Sequence, residues 1–166
     1  MEKIVYFAML ALLASCVNKK ETNEQRPVLT VAGVIHLCPI NKIALIERGK
    51  TPKGLAMFGG HVEYEDPVTA FKREAQEELN IEDLSNIKLI GIHGIPGRDP
   101  RQHSVEITYS AVTRQIPKAG SDAKTIVVFT NEELKKALVK EQFAFDHAEI
   151  LNNYLKTLQH NVCMQN

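Results

Sequence analysis

The chain has 166 residues, of which 44% are hydrophobic and 24% charged, and its formal net charge is zero. That is one ordinary globular domain with a short stretch of chain in front. The zero balance gives no support to nucleic-acid binding through a broad basic surface, so an anionic ligand has to be met by local charges.

Residues 1–27 stand apart. Lys3 and the amino terminus make a small positive segment, diluted by Glu2, and residues 4–14 are an unbroken apolar run. A helix that spans a bilayer takes about 20 residues, so this run has the length of a signal-peptide core. It ends in Leu13-Ala14-Ser15-Cys16, which resembles the bacterial lipobox, where cleavage leaves the cysteine as a lipid-modified first residue. Residues 1–15 are therefore read as a lipoprotein-type signal peptide and 16–27 as a polar tether. The expected location is the extracytoplasmic side of a bacterial membrane, reached only through Cys16. The alternative is a cytoplasmic protein with an N-terminal helix packed on the domain, and an all-apolar run has no polar face for such a helix to show to water. Cys38 and Cys163 match no zinc or redox spacing. Cys38 is expected to pack at a strand end, a disulfide between the two is left open, and neither is given a role.

The folded domain is expected over 28–160, with a tail at 161–166. Residues 28–37 and 43–47 are β-rich and flank a Cys38-Pro39-Ile40-Asn41 turn, which reads as a hairpin. A basic loop over 48–54 leads to Leu55-Ala56-Met57-Phe58 and then to Gly59-Gly60, where the backbone can come close to a metal or a phosphate. Asp66 is a good N-cap, Pro67 suits the first helical position, and Asn80 tolerates the left-handed conformation that ends many helices. Between them Val68, Phe71, Ala75 and Leu79 form an apolar stripe. Glu74, Glu77 and Glu78 share an adjacent face at i, i+3 and i+4, and like charges that close call for a neutralising cation. Oxygen ligands favour Mg²⁺, or Mn²⁺. A solvated acidic helix face is the plain alternative, and it leaves the glycine pair, the capped start and the stripe as coincidences.

Residues 87–95 read as a strand. The loop Gly97-Arg98-Asp99-Pro100-Arg101 then offers two forked guanidiniums suited to a phosphate or a carboxylate, or else a turn closed by salt bridges to Asp99. His103 reads as a structural residue at a strand start. In the next strand Val105, Ile107, Tyr109 and Ala111 alternate with Glu106, Thr108 and Ser110, so Glu106 falls on the polar face, most simply in solvent and otherwise lining a cleft. A loop over 118–124 precedes a strand over 125–129. Thr130 with Glu133, and Asp146 with Glu149, read as capping boxes of two last helices. His147 is either a local contact or part of a pocket. The class is α/β, a sheet flanked by helices.

Gly59-Gly60-His61-Val62-Glu63-Tyr64-Glu65 followed by Arg73-Glu74-Ala75-Gln76-Glu77-Glu78-Leu79-Asn80-Ile81 resembles the Nudix box. The helical half fits, with Asn80 where the family usually has glycine. The first half is one residue short and lacks the loop glycine. Gly97-Arg98-Asp99-Pro100-Arg101 with His103, Gly120-Ser121-Asp122-Ala123, and Phe143-Ala144-Phe145-Asp146-His147 extend the similarity to the branch containing ADP-ribose pyrophosphatases and related sensor domains. The resemblance implies an α/β/α sandwich around a mixed sheet. It implies metal held by Glu74, Glu77 and Glu78 with a Gly59 or Gly60 carbonyl, and Arg73 paired with Glu65 or Glu63. Arg98, Arg101 and Asp122 are implied at the substrate, and the reaction is ADP-ribose plus water giving AMP and ribose 5-phosphate, with Glu74 the first candidate base. Hydrolysis of triphosphates or another diphosphate, and a non-catalytic sensing module, are the alternatives. The oligomeric state stays open, a homodimer included.

Overall fold

A computed structural model describes residues 26–119, 123–158 and 162–164. The signal-like run, Cys16 and Asp122 lie outside the described residues. In chain order the elements are β1 Val28–Leu37, β2 Lys42–Arg48, β3 Gly54–Ala56, β4 Phe58–His61, α1 Pro67–Leu79, β5 Ser85–His93, β6 Ser104–Thr113, β7 Ala123–Phe129, α2 Asn131–Lys140, α3 His147–Thr157 and a 3₁₀ turn Val162–Met164. No helix of the described residues is long and apolar enough to cross a membrane.

β1 is the hub of a mixed sheet. One of its edges runs parallel to β6 over its whole length, while the other takes β4 antiparallel at Thr30 to Gly33 and β2 antiparallel at Ile35 to Leu37. β3 pairs with β2 through Ala56 opposite Ile46, and β4 pairs with β1 through Phe58 opposite Gly33, so the chain changes partner at Met57. β1 is covered on both faces, and its side chains alternate between two cores. Val31, Ile35 and Leu37 join Phe58, Phe71, Ala75 and Leu79 beneath α1. Ala32 and Val34 join Leu45, Met57, Leu134, Leu151 and Tyr154 beneath α2 and α3. This is the expected α/β/α sandwich. Gly33 makes the α1 side possible, because a Cβ there would stand 2.3 Å from Phe71 Cε2.

Local signals set the ends of α1. The Asp66 carboxylate accepts from the N–H groups of Val68 and Thr69 at 3.0 and 3.1 Å, and Asn80 closes the helix at φ 55°. Thr130 and Glu133 form the expected capping box of α2. Asp146 does not repeat it: it sits at the N-cap of α3 but makes no side-chain cap bond, because Arg98 takes its carboxylate. A second correction concerns Cys38, which is disulfide-bonded to Cys163 across 125 residues. The end of β1 brings Cys38 to the place where the chain returns after α3, a meeting that cysteine spacing does not reveal.

His36 is buried on the α3 side, where it shares a 2.8 Å hydrogen bond with the Tyr154 hydroxyl. Burial lowers its pKa from 6.5 to about 4. Between those two values the unfolded chain binds a proton that the folded one refuses, so stability falls as the pH drops through this window and is unaffected above it. The loss approaches ~3 kcal/mol. Urea midpoints measured from pH 7 to 4 are expected to decline, and His36→Gln to flatten the decline. An equal decline in the variant would assign it to other groups.

Candidate active site

α1 delivers the carboxylates, and packing tells apart three glutamates that spacing makes equivalent. Glu74 and Glu78 lie on the flank of the buried Phe71, Ala75 and Leu79 and are each 8% exposed. The Glu77 side chain is 53% exposed and stands at the mouth. Opposite them, the Gly59 N–H donates to Glu78 Oε2 at 3.0 Å. A Cβ on Gly60 would lie 2.3 Å from Glu74 Oε1, so only glycine lets this carboxylate rest against the backbone. Burial pushes the Glu74 carboxyl above its usual range; Arg73 works against that rise and Glu77 adds to it.

Arg73 ties the loop to the helix. Its Nε and Nη2 donate to Glu65 Oε1 at 2.9 and 2.7 Å, Nη2 also donates to the His61 carbonyl at 2.9 Å, and Nη1 donates to Glu74 Oε1 at 2.7 Å. Of the two loop glutamates that spacing allows, Glu65 is therefore the partner. The shortened loop closes on the guanidinium.

Among the described residues, no three His, Cys, Asp or Glu side chains stand close enough to hold an ion as they are. Gathered here instead are two buried carboxylates against a glycine backbone, with a third carboxylate at the rim. These are oxygen donors with excess negative charge, and they fit a hard divalent cation.

The carboxylates occupy one side of a cleft of about 420 Å³, and Arg48, Lys50 and Arg101 line it as well. The guanidinium carbons of Arg48 and Arg101 lie 4.9 and 5.3 Å from the centre of the Phe145 ring, within cation–π range. Arg101 also donates to Asp99 at 2.8 and 2.9 Å while its side chain stays 47% exposed, so the salt-bridged turn and a cationic cleft wall are the same structure. Arg98 lines the cleft as well, with its guanidinium held by two carboxylates. Its side chain is 3% exposed; Nε and Nη2 donate to Asp146 at 3.0 and 2.5 Å, Nη1 to Ser104 at 3.3 Å, and Nη2 lies 3.1 Å from Glu106 Oε1.

Glu106 takes the second of its two expected places and lines the cleft. It is 5% exposed rather than in solvent, and it meets Arg98, the Thr108 hydroxyl at 3.3 Å and His147 Nε2 at 3.3 Å. Burial alone would raise its pKa, but the His147 hydrogen bond and the Arg98 charge overcome this and hold it at about 2. The other ring nitrogen of His147, Nδ1, accepts from the Met57 N–H at 3.0 Å.

Residues 28–154 match the NUDIX domain family model. The chain belongs to the Nudix family. It is 34% identical over 150 residues to an ADP-ribose pyrophosphatase of Methanocaldococcus jannaschii, an alignment covering 84% of this chain and 82% of that protein. A MutT/nudix family protein from Enterococcus faecalis has a similar structure, with a TM-score of 0.66, 28% identity, and coverage of 92% of this chain and 71% of that one. A bifunctional NMN adenylyltransferase/ADP ribose pyrophosphatase from Francisella tularensis, solved with AMP and a manganese ion, shares the fold at a TM-score of 0.67 and 20% identity, covering 93% of this chain and 46% of that one. Nudix hydrolases generally use divalent metals, which agrees with the donor set on α1.

The spacing of α1 points to its carboxylates. Glu106 and His147 take the cleft and pocket places that were one of two readings for each, whereas spacing does not show the Asp146 bond to Arg98 or Phe145 beside Arg48 and Arg101. For Glu106 one signal was available: the polar face of β6 carries Ser104, Glu106, Thr108 and Ser110, a single charge among small hydroxyls. A strand face open to water is usually more heavily charged.

Proposed function

We propose that this Nudix protein hydrolyses the diphosphate linkage of a nucleoside diphosphate derivative, with ADP-ribose the preferred substrate and AMP and ribose 5-phosphate the products. The observation that carries the reading is one cleft that sets the buried Glu74 and Glu78, packed on Gly59-Gly60, together with Arg48, Lys50 and Arg101. The similarity to an ADP-ribose pyrophosphatase supports the choice of substrate.

Glu74, Glu77 and Glu78 with the glycine backbone would hold Mg²⁺, or Mn²⁺, which polarises the phosphoryl oxygens and offsets the charge that builds on them. Arg101 and the 48–50 loop bind and orient the diphosphate, sharing Arg101 with Asp99. Arg98, also in the cleft lining, braces it through Asp146 and Glu106. Glu74 is the residue assigned to take the proton of the attacking water. The water oxygen bonds to one phosphorus as the bridging P–O bond breaks, and the departing phosphate carries away the electron pair. Arg73 holds the Glu65 loop and the Glu74 carboxylate in register meanwhile. The test is kcat/KM across ADP-ribose, other nucleoside diphosphate derivatives, dinucleoside polyphosphates and nucleoside triphosphates. ADP-ribose is expected to lead. A lead for triphosphates would keep the chemistry and reject the substrate, and intact binding with no turnover would favour the sensor.

Residues 1–15 act as a signal peptide and Cys16 as the lipid-anchored residue of the mature protein in the same proposal. The Cys38–Cys163 disulfide supports a location in an oxidising compartment. After expression in a bacterium, the protein is expected in the membrane fraction and Cys16→Ala in soluble fractions. Wild type and variant distributing alike would overturn the anchor.

A further inference from the structure

Met57 lies where the chain leaves β2 for β1, so neither strand ladder includes it. The residue is 2% exposed, and a buried N–H without a partner costs stability. The partner comes from α3, with His147 Nδ1 accepting from the Met57 N–H at 3.0 Å. A nitrogen that accepts carries no proton, so the ring proton sits on Nε2, which faces Glu106 Oε2 at 3.3 Å. Glu106 is fixed in turn by Arg98 and Thr108, and Arg98 by Asp146 beside His147 on the chain. The ring closes a buried circuit from the start of α3 through β6 to the joint between β3 and β4. Two residues past that joint, Gly59 donates to Glu78, and Gly60 abuts Glu74.

We infer that His147 is a positioning residue for hydrolysis: with Glu106 it fixes the Met57 joint and thereby sets the Gly59-Gly60 backbone against the Glu74 and Glu78 carboxylates. This rests on the pyrophosphohydrolase reading. His147 lines the cleft beside Glu106, but both of its ring nitrogens are engaged, one by the Met57 N–H and the other by Glu106, so it acts through the backbone. Its two hydrogen bonds have opposite sense, one accepted and one donated, and a glutamine amide can reproduce both while a phenylalanine ring reproduces neither.

The test compares His147→Gln and His147→Phe with wild type in the full chain. His147→Phe is expected to lower kcat roughly 10- to 100-fold, the range seen when support behind a metal site is removed, with KM little changed, and His147→Gln is expected to recover most of the loss. Wild-type kcat in a folded His147→Phe variant would overturn the inference, as would equal losses in both variants. Two readouts need no turnover. Long-range ¹H–¹⁵N NMR of the wild type should show the Nε2–H tautomer of His147, and finding Nδ1–H would overturn the proposal even if a variant does not fold. The Met57 amide should be protected from exchange in wild type and in His147→Gln but not in His147→Phe, with displaced Gly59 and Gly60 resonances in the last. Should the wild type hydrolyse no diphosphate, the function proposed above fails, and the tautomer and amide data still decide whether His147 sets the joint.

Discussion

Replacing Glu78 with Gln is expected to lower kcat on ADP-ribose about a thousandfold, some 4 kcal/mol of transition-state stabilisation, while the domain stays folded. The two halves of this expectation come from different atoms. Glu78 is 8% exposed, and its Oε2 accepts the Gly59 N–H at 3.0 Å. The glutamine oxygen can accept the same bond, so volume, burial and the link to β4 survive. What goes is the negative charge beside Glu74, and with it the balance against a divalent cation. Kinetics at saturating Mg²⁺ with circular dichroism and a thermal melt separate the two halves. Unchanged kcat in a folded variant would remove Glu78 from the site; a collapsed melt would make it a structural residue first.

The second large effect is on stability. Cys38→Ser is expected to destabilise the protein by about 3 kcal/mol, which for a domain of this size lowers Tm by roughly 10 °C. The disulfide closes a loop of 125 residues that holds nearly the whole sheet and all three helices. Cutting a link of that span returns much configurational freedom to the unfolded chain. It also frees the Val162–Met164 turn from the end of β1. The cleft is lined by neither cysteine, so kcat measured well below the melting range should remain that of the wild type. A reductant added to wild type should reproduce the shift. Identical melts for wild type and variant without reductant would show that the bond contributes no stability.

What the sequence made legible was local. Asp66-Pro67 and Asn80 bound α1 through hydrogen bonds within a few residues of themselves, and Thr130 with Glu133 did the same for α2. The apolar alternation of β6 placed the strand correctly. Alternation, however, states only that one face is polar, and whether water or another element covers that face is a tertiary fact. Here α3 and the loop carrying Arg98 cover it, and Glu106 is buried. Asp146 shows the same competition at a helix start: an N-cap residue with no better offer would bond backbone N–H groups, but a buried guanidinium is a stronger donor and took both oxygens. Likewise Glu77 and Glu78 are neighbours in sequence, and only the packing of α1 on β1 and β4 decides that one is exposed and the other buried.

The most direct measurement is AMP and ribose 5-phosphate release from ADP-ribose by the purified chain, with Mg²⁺, with a chelator, and with Mg²⁺ restored after chelation. Both products are expected with Mg²⁺, neither with chelator, and both again on restoration. Product formation that ignores the chelator, or no hydrolysis of ADP-ribose or any other diphosphate with Mg²⁺ present, would contradict metal-dependent diphosphate hydrolysis at the Glu74–Glu78 cleft.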